Sequence, residues 1–402
     1  MTLGQYKRDR AGQVTPARIW PGSRSETIRR KLRTLTGIIP GAARLCQYCG
    51  LRVGLITSAA VGPLFPGKSA IMTPGVHSIL VTGAAGFIGS AVSARLAALG
   101  HQVTGCDNFN GYYDPRLKSA RVEALLAPCD VRCPAVELAD AAQVSALFER
   151  VRPTLVVHLA AQAGVRYSLV NPDAYLQSNV IAFGHILEAC RLHQVEHLLY
   201  ASSSSVYGGN AKVPFSEDDR TDEPVSLYGA TKKANELMAC SYSHLYRLPA
   251  TGLRFFTVYG PWGRPDMACF SFTEKLLRGE TIPVFAGGQL RRDFTYVDDI
   301  VEGVVRLLFK PPPDDVRPPH WVFNIGNNQP VTVLDFIRTL ERVLKVTAVL
   351  DFQPMQPGDV EATHADTTRL QAWVGYKPTA PLETGLTHFR DWYNRWSIIR
   401  PA

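Results

Sequence analysis

The sequence predicts an α/β protein. It is read as a doubly wound, parallel sheet followed by a smaller, mixed C-terminal domain. Three observations carry this. From Val76 onward, short apolar runs alternate with helical stretches, the pattern of a parallel sheet covered by helices on both faces. The first apolar run leads straight into a glycine-rich turn. Past about Gly260 the alternation loosens, and Pro, Gly and aromatic residues cluster.

The first 75 residues do not share the pattern. They carry 12 Lys and Arg against only Asp9 and Glu26, a net charge of +10. The other 327 residues carry 31 basic and 33 acidic side chains, a net charge of −2. The overall +8 therefore belongs to one basic leader, which is expected to be disordered or absent from the mature protein. The remainder carries no electrostatic footprint for nucleic acid. Cys46 and Cys49 form a lone CxxC with no second pair, so no metal site is expected there. Eight irregularly spaced Cys in 402 residues do not make a disulfide framework, and a reducing, cytoplasmic setting follows. With 46% hydrophobic and 19% charged residues the composition is globular, and no run of 18 apolar residues predicts a membrane span.

The elements follow in order. Ile79–Thr82 is a buried strand, Gly83–Gly89 a turn, and Ser90–Leu99 a helix stopped by Gly100. Gln102–Cys106 is the second strand. Ala141–Val151 is a helix, Leu155–His158 a strand, Ala174–His193 a helix and His197–Tyr200 a strand. Tyr228–Tyr246 is a helix and Thr251–Phe256 a strand, and Pro311–Pro313 breaks the later chain. Residues 76–260 are read as the cofactor-binding domain. Residues 261–402 are read mainly as the substrate-binding domain, with some segments returning to the sheet.

Chemistry concentrates at three places. Gly83, Gly86 and Gly89 form a GxxGxxG between a strand and a helix. Small residues let backbone approach a pyrophosphate, and the helix N-terminus offers free N–H groups. Asp107 ends the second strand, where a carboxylate accepts ribose hydroxyls and repels a 2′-phosphate, so NAD is favoured over NADP. Tyr228 and Lys232 form a YxxxK on one helix face, and an ammonium beside a phenol favours the phenolate. Ser202–Ser205 follow a strand, placing hydroxyls at the sheet edge where open α/β folds bind ligands.

Together these motifs resemble the extended short-chain dehydrogenase/reductase family, with its Rossmann-like fold. Ala160–Ser168, Leu253–Met267, Arg291–Tyr296 and Met355–Val360 are similar to stretches of the UDP-glucuronate 4-epimerases, nucleotide-sugar epimerases acting on uronic acids. The resemblance spans roughly Ser78 to Trp392 and leaves out the leader. It implies NAD held by Gly83, Gly86, Phe87, Ile88, Gly89, Asp107, Leu159, Ala160, Ala161, Asn179, Tyr228 and Lys232. Tyr228 becomes the acid/base, Lys232 its partner at the nicotinamide ribose, and Ser203 the catalytic hydroxyl. Ser203, Ser204, Ser205, Thr257, Arg264, Arg292 and Asp359 are implied to contact the UDP-sugar, and a homodimer is implied as well. Glu137 stands where relatives carry an Asp near the adenine. Ser204 and Ser205 replace the Asp-Glu pair of related dehydratases, which argues against dehydration. Three alternatives stay open: a 4-epimerase of neutral UDP-sugars, a UDP-glucuronate decarboxylase, and an NAD-binding regulatory protein without turnover.

Overall fold

The computed structural model describes residues 75–315, 317–355 and 360–399. The basic leader with Cys46 and Cys49, and Asp359, lie outside the described residues. Strand β1 (Ser78–Thr82) enters the glycine turn, and helix α1 (Phe87–Ala98) leaves it. Then come β2 (Gln102–Cys106), α2 (Pro115–Arg121), α3 (Ala141–Val151) and β3 (Leu155–His158). The stretch expected as one helix over Ala174–His193 is composite. A short turn at Pro172–Tyr175 passes through a wide π turn at Leu176–Ile181 into α4 (Ala182–Leu192). β4 (His197–Ser203), α5 (Leu227–Tyr246) and β5 (Ala250–Phe255) complete the expected series.

Six strands form one sheet in the order β10-β5-β4-β3-β1-β2, every pairing parallel, where β10 is His320–Ile325. Both faces are buried, which explains the near-continuous apolar strands. Ile79 and Val81 point into one core cluster and Leu80 into the other. Leu155 and Val157 divide from Val156 in the same way. One face is covered by α1 and by α7 (Val297–Leu308), the other by α3 and α4. β1 lies between β2 and β3, so the strand order reverses there. A crevice at the carboxyl ends of the strands is the position such sheets offer a ligand.

The chain past Gly260 is more regular than its sequence suggests. After β6 (Thr257–Tyr259) it contains α6 (Ala268–Arg278), β7 (Thr281–Phe285), β8 (Arg291–Arg292), β9 (Phe294–Tyr296) and α7. After β10 come β11 (Val331–Thr332), α8 (Val333–Leu344), β12 (Val349–Gln353), α9 (Thr368–Val374) and α10 (Leu382–Ile399). The apolar spacing Val297, Ile300, Val301, Val304, Val305, Leu308 is helical, and all six are buried. The clustered prolines and glycines sit between these helices. β6 pairs β9 and β7 pairs β12 in parallel, while β8 and β11 are antiparallel. Among the described residues no helix is long and apolar enough to cross a membrane.

Candidate active site

A cavity of about 550 Å³ runs along the carboxyl edge of the sheet, from the glycine turn to Tyr228 and the serine run. At one end, Gly83 takes φ +70°, and a Cβ there would stand 2.7 Å from the Ala160 amide nitrogen. The turn therefore sits directly on the backbone after β3, and no other residue type fits. Gly86 caps α1 without a side-chain hydrogen bond, and the first turn holds no acidic residue. The helix N-terminus is thus open to an anion. Gly83, Gly86, Phe87, Ile88, Gly89, Leu159, Ala160 and Ala161 all line the cavity.

Asp107 also lines it, at the end of β2, buried and paired at 3.0 Å with Lys118, itself buried. The Asp107 carboxylate accepts from the Phe109 amide at 2.8 Å. Glu137 lines the same end, its carboxylate accepting from Asn108 Nδ2 and the Ala139 amide, both at 3.0 Å. An uncapped helix start, a strand-end carboxylate and an elongated cleft between them are the donor set that a dinucleotide requires. The residues present fit NAD.

Asn179, expected against the cofactor, is 1% exposed and not among the cavity residues. Its amide accepts from the Gln162 backbone at 2.8 Å and donates to Gln162 O and Thr231 Oγ1, both at 3.0 Å. The π turn carries Asn179 inward, so it fastens the segment after β3 to α5 instead of facing the cleft.

At the other end, Tyr228 and Lys232 project from the first turns of α5, whose N-cap Ser226 accepts from the Gly229 amide at 3.0 Å. A Cβ on Gly229 would come within 2.6 Å of the Ser205 carbonyl, so α5 packs directly against the serine turn. β4 continues through Ser202 and Ser203, and Ser204 and Ser205 open a tight 3₁₀ turn. Ser203 Oγ donates to Ser205 Oγ at 3.2 Å and accepts from the Ser205 amide at 3.2 Å. Burial raises the Tyr228 phenol, while a side-chain hydrogen bond from Ser203 and the charge of Arg264 lower it. Lys232 is 2% exposed, and its ammonium donates to the Ala201 carbonyl at 2.9 Å. Burial pulls Lys232 down to about 7. Tyr228, Lys232 and Arg264 all line the same cavity.

Thr257, Arg264, Arg292, Ser203, Ser204 and Ser205 all border the cavity. Arg264 is held by Asp266, with Nε to Oδ1 at 3.0 Å, and Arg292 donates to the Arg291 carbonyl at 2.8 Å. Arg166 lines the cavity too, 5.7 Å from the Phe285 ring centroid. Asp107 and Glu137, both at the glycine-turn end, are the only carboxylates lining the cavity among the described residues.

Sequence reasoning missed Tyr112 and Lys118. Both lie on the loop and helix after Asp107. Tyr112 crosses to Asp266 with a 3.2 Å hydrogen bond between residues 154 positions apart. The only sequence signal was the aromatic, Asn-rich run directly after Asp107. Arg121 was missed as well. It is fully buried and donates to Ala85 O in the glycine turn at 3.1 Å and to Trp262 O at 2.7 Å, tying the cofactor turn to the loop carrying Arg264.

Residues 79–326 match the NAD dependent epimerase/dehydratase family. UDP-glucuronate 4-epimerase 3 of Arabidopsis thaliana is 51% identical over 332 residues, which is 79% of this chain and 76% of that protein. A probable UDP-glucuronate 4-epimerase of Rhizobium meliloti is 44% identical over 329 residues, 79% of this chain and 96% of that protein. The crystal structure of UDP-glucuronic acid 4-epimerase from Bacillus cereus with UDP-glucuronic acid and NAD superposes with a TM-score of 0.72 at 33% identity. It covers 79% of this chain and 99% of that one.

Proposed function

The chain belongs to the NAD dependent epimerase/dehydratase family, and from that premise we propose that it interconverts UDP-glucuronate and UDP-galacturonate at C4 through a transient 4-ketone. The observation that carries this reading is the serine turn. Ser203, Ser204, Ser205 and Thr257 border one cavity with Tyr228, with basic Arg264 and Arg292 nearby and, among the described residues, no carboxylate lining that end. Such a wall offers donors to a sugar carboxylate and lacks the acid–base pair that dehydration needs.

NAD, when bound, supplies the reversible oxidation at C4. The rest falls to the chain. Tyr228 takes the proton from the sugar 4-OH and later returns it, with Ser203 sharing the hydrogen bond. Arg264 steadies the phenolate. Lys232 holds the ribose beside Tyr228. The uronate rests on Ser204, Ser205 and Thr257, and the diphosphate on the arginines. The ketone turns over in the cavity, so that its opposite face is reduced. Asp359 is assigned to the uridine ribose by the resemblance.

Residues 76–260 are assigned mainly to cofactor and 261–402 mainly to substrate. We also assign a homodimer, supported by exposed Leu176, Ile181, Leu237 and Leu245 along the π turn and α5. Its test is the solution mass, and a monomer refutes it. A cytoplasmic location is supported by the free thiols of Cys106, Cys129, Cys133, Cys190, Cys240 and Cys269. Secretion on fractionation refutes it.

The deciding experiment incubates the protein with a panel of UDP-sugars and follows products by mass and NMR. A mass-conserving equilibrium between the two uronates is expected. A UDP-pentose as main product, or equal rates on UDP-galactose, would replace the reading with decarboxylation or neutral-sugar epimerisation.

A further inference from the structure

We propose, resting on the uronate reading above, that the buried Glu236–Arg254–Tyr207 cluster is a positioning device for the serine turn. It holds Ser203–Ser205 in register with Tyr228, and that register decides whether the 4-ketone is returned as a uronate or loses its carboxylate.

Glu236 lies one helical turn beyond Lys232 on α5, and Arg254 lies on β5. They are 4% and 3% exposed. Arg254 Nε and Nη2 each donate to Glu236 at 2.8 Å, a two-point pairing that fixes both planes. Ser202 Oγ donates to the same carboxylate at 2.7 Å. On its other side the guanidinium lies 4.8 Å over the Tyr207 ring, and Nη1 donates to the Tyr207 hydroxyl at 3.0 Å. That hydroxyl donates onward to Asn324 Oδ1 at 2.6 Å, which ties the cluster to β10. Ser202 and Tyr207 bracket Ser203–Ser205. Both ends of the turn are therefore fastened to one ion pair, and the ion pair is fastened to the helix carrying Tyr228. Glu236, Arg254 and Tyr207 do not line the cavity, whereas Ser202–Ser205 do, so the cluster acts only through the turn. A buried ion pair gives weak net stability but a defined geometry.

Geometry matters because the 4-ketone of a uronate is a β-keto acid. When its C5–C6 bond lines up with the carbonyl π system, that bond breaks and carbon dioxide leaves. The electron pair enters a C4–C5 enolate, C5 takes up a proton, and return to C4 of the hydride removed when the ketone formed, with a proton to its oxygen, leaves a UDP-pentose. Hydroxyls that fix C6 hold the C5–C6 bond near the carbonyl plane, where this overlap is poor. A turn free to shift releases that restraint.

The test uses two conservative variants of the holoenzyme. Tyr207→Phe keeps the ring and removes the hydroxyl joining Arg254 to Asn324. Ser202→Ala cuts the turn from Glu236 and leaves the ion pair whole. UDP-galacturonate and UDP-pentose are counted by mass in one reaction. Their ratio does not depend on the fraction of protein folded, so a merely structural defect leaves it unchanged. Titration calorimetry with UDP-glucuronate and UDP-glucose adds a readout without turnover. We expect the pentose-to-uronate ratio to rise at least about tenfold, and the preference for the acid sugar in binding to fall, as the loss of one buried hydrogen bond allows. Parental ratio and binding preference in the variants overturn the positioning role, even if their rates are lower. If Tyr207→Phe fails to fold, Ser202→Ala decides alone. A parent protein that makes no UDP-galacturonate overturns the uronate reading and this inference with it, which separates the two failures.

Discussion

Removing one carboxylate donor at a time tests the substrate assignment at the atoms that carry it. Ser203 is assigned to the 4-OH together with Tyr228, so the hydroxyls of Ser204, Ser205 and Thr257 are the ones left to meet a carboxylate. Thr257→Val keeps the shape and removes a hydroxyl, and Ser204→Ala does the same without disturbing the Ser203–Ser205 contact. A hydrogen bond to a charged group contributes about 1.5–3 kcal/mol. At about 1.4 kcal/mol per factor of ten, each variant should lose roughly 10- to 100-fold in kcat/KM on UDP-glucuronate. On UDP-glucose, which has no carboxylate for these hydroxyls to meet, the same variants should change little. The assay is kcat/KM on both sugars for the parent and the two variants, with product mass recorded. Thr257 and Ser204 are 53 positions apart in the chain, so their losses on the acid sugar are compared in the double variant as well. Equal proportional losses on acid and neutral sugar would refute the carboxylate reading, since they would mean the hydroxyls serve the fold or the nucleotide.

Tyr228→Phe keeps the ring against Tyr175, 6.0 Å away, and should leave the melting temperature near that of the parent. Turnover should fall at least ~100-fold, and parental turnover in a folded variant would remove Tyr228 from its role. Lys232 is pulled down to about 7 by burial, against about 10.4 for a free lysine. Between those values the unfolded chain binds more proton at this residue than the folded one, so the penalty of burying it shrinks as pH rises. NAD-free Lys232→Met should therefore be more stable than the parent near pH 7, with the gap closing toward about pH 10. Melting curves that show a constant or widening gap contradict this. A protein beginning at Met72 should fold and keep parental activity, because the charge and pattern of the chain change there. Loss of soluble or active protein on removing residues 1–71 would show that the leader is needed.

The local chemistry was legible in the residues because each motif is short. Strand β1, the glycine turn, α1 and Asp107 lie within 30 positions, and GxxGxxG needs only the context of its own strand and helix. β2, α3 and β3 have the bounds that alternation and capping predict, since Asp140 caps α3 and Leu155, Val156 and Val157 make a buried apolar run in β3. Tyr228 and Lys232 share a face because four residues make one turn.

Other features depend on meetings across the chain that no local pattern encodes. What stands around Tyr228 was decided by the fold: Lys232 donates to the Ala201 carbonyl, and Arg264 comes to line the same cavity from 36 positions downstream. Asn179 was turned away from the cleft by a π turn, whose extra residue per turn is invisible in an apolar periodicity. The regular helices past Gly260 were obscured by the prolines and glycines between them. Nothing local in the sequence marks Arg121, Tyr207 or the Glu236–Arg254 pair as a buried network. Only burial shows that each must find partners, and only the tertiary structure supplies them: a buried polar group is affordable where distant backbone and side chains converge on it.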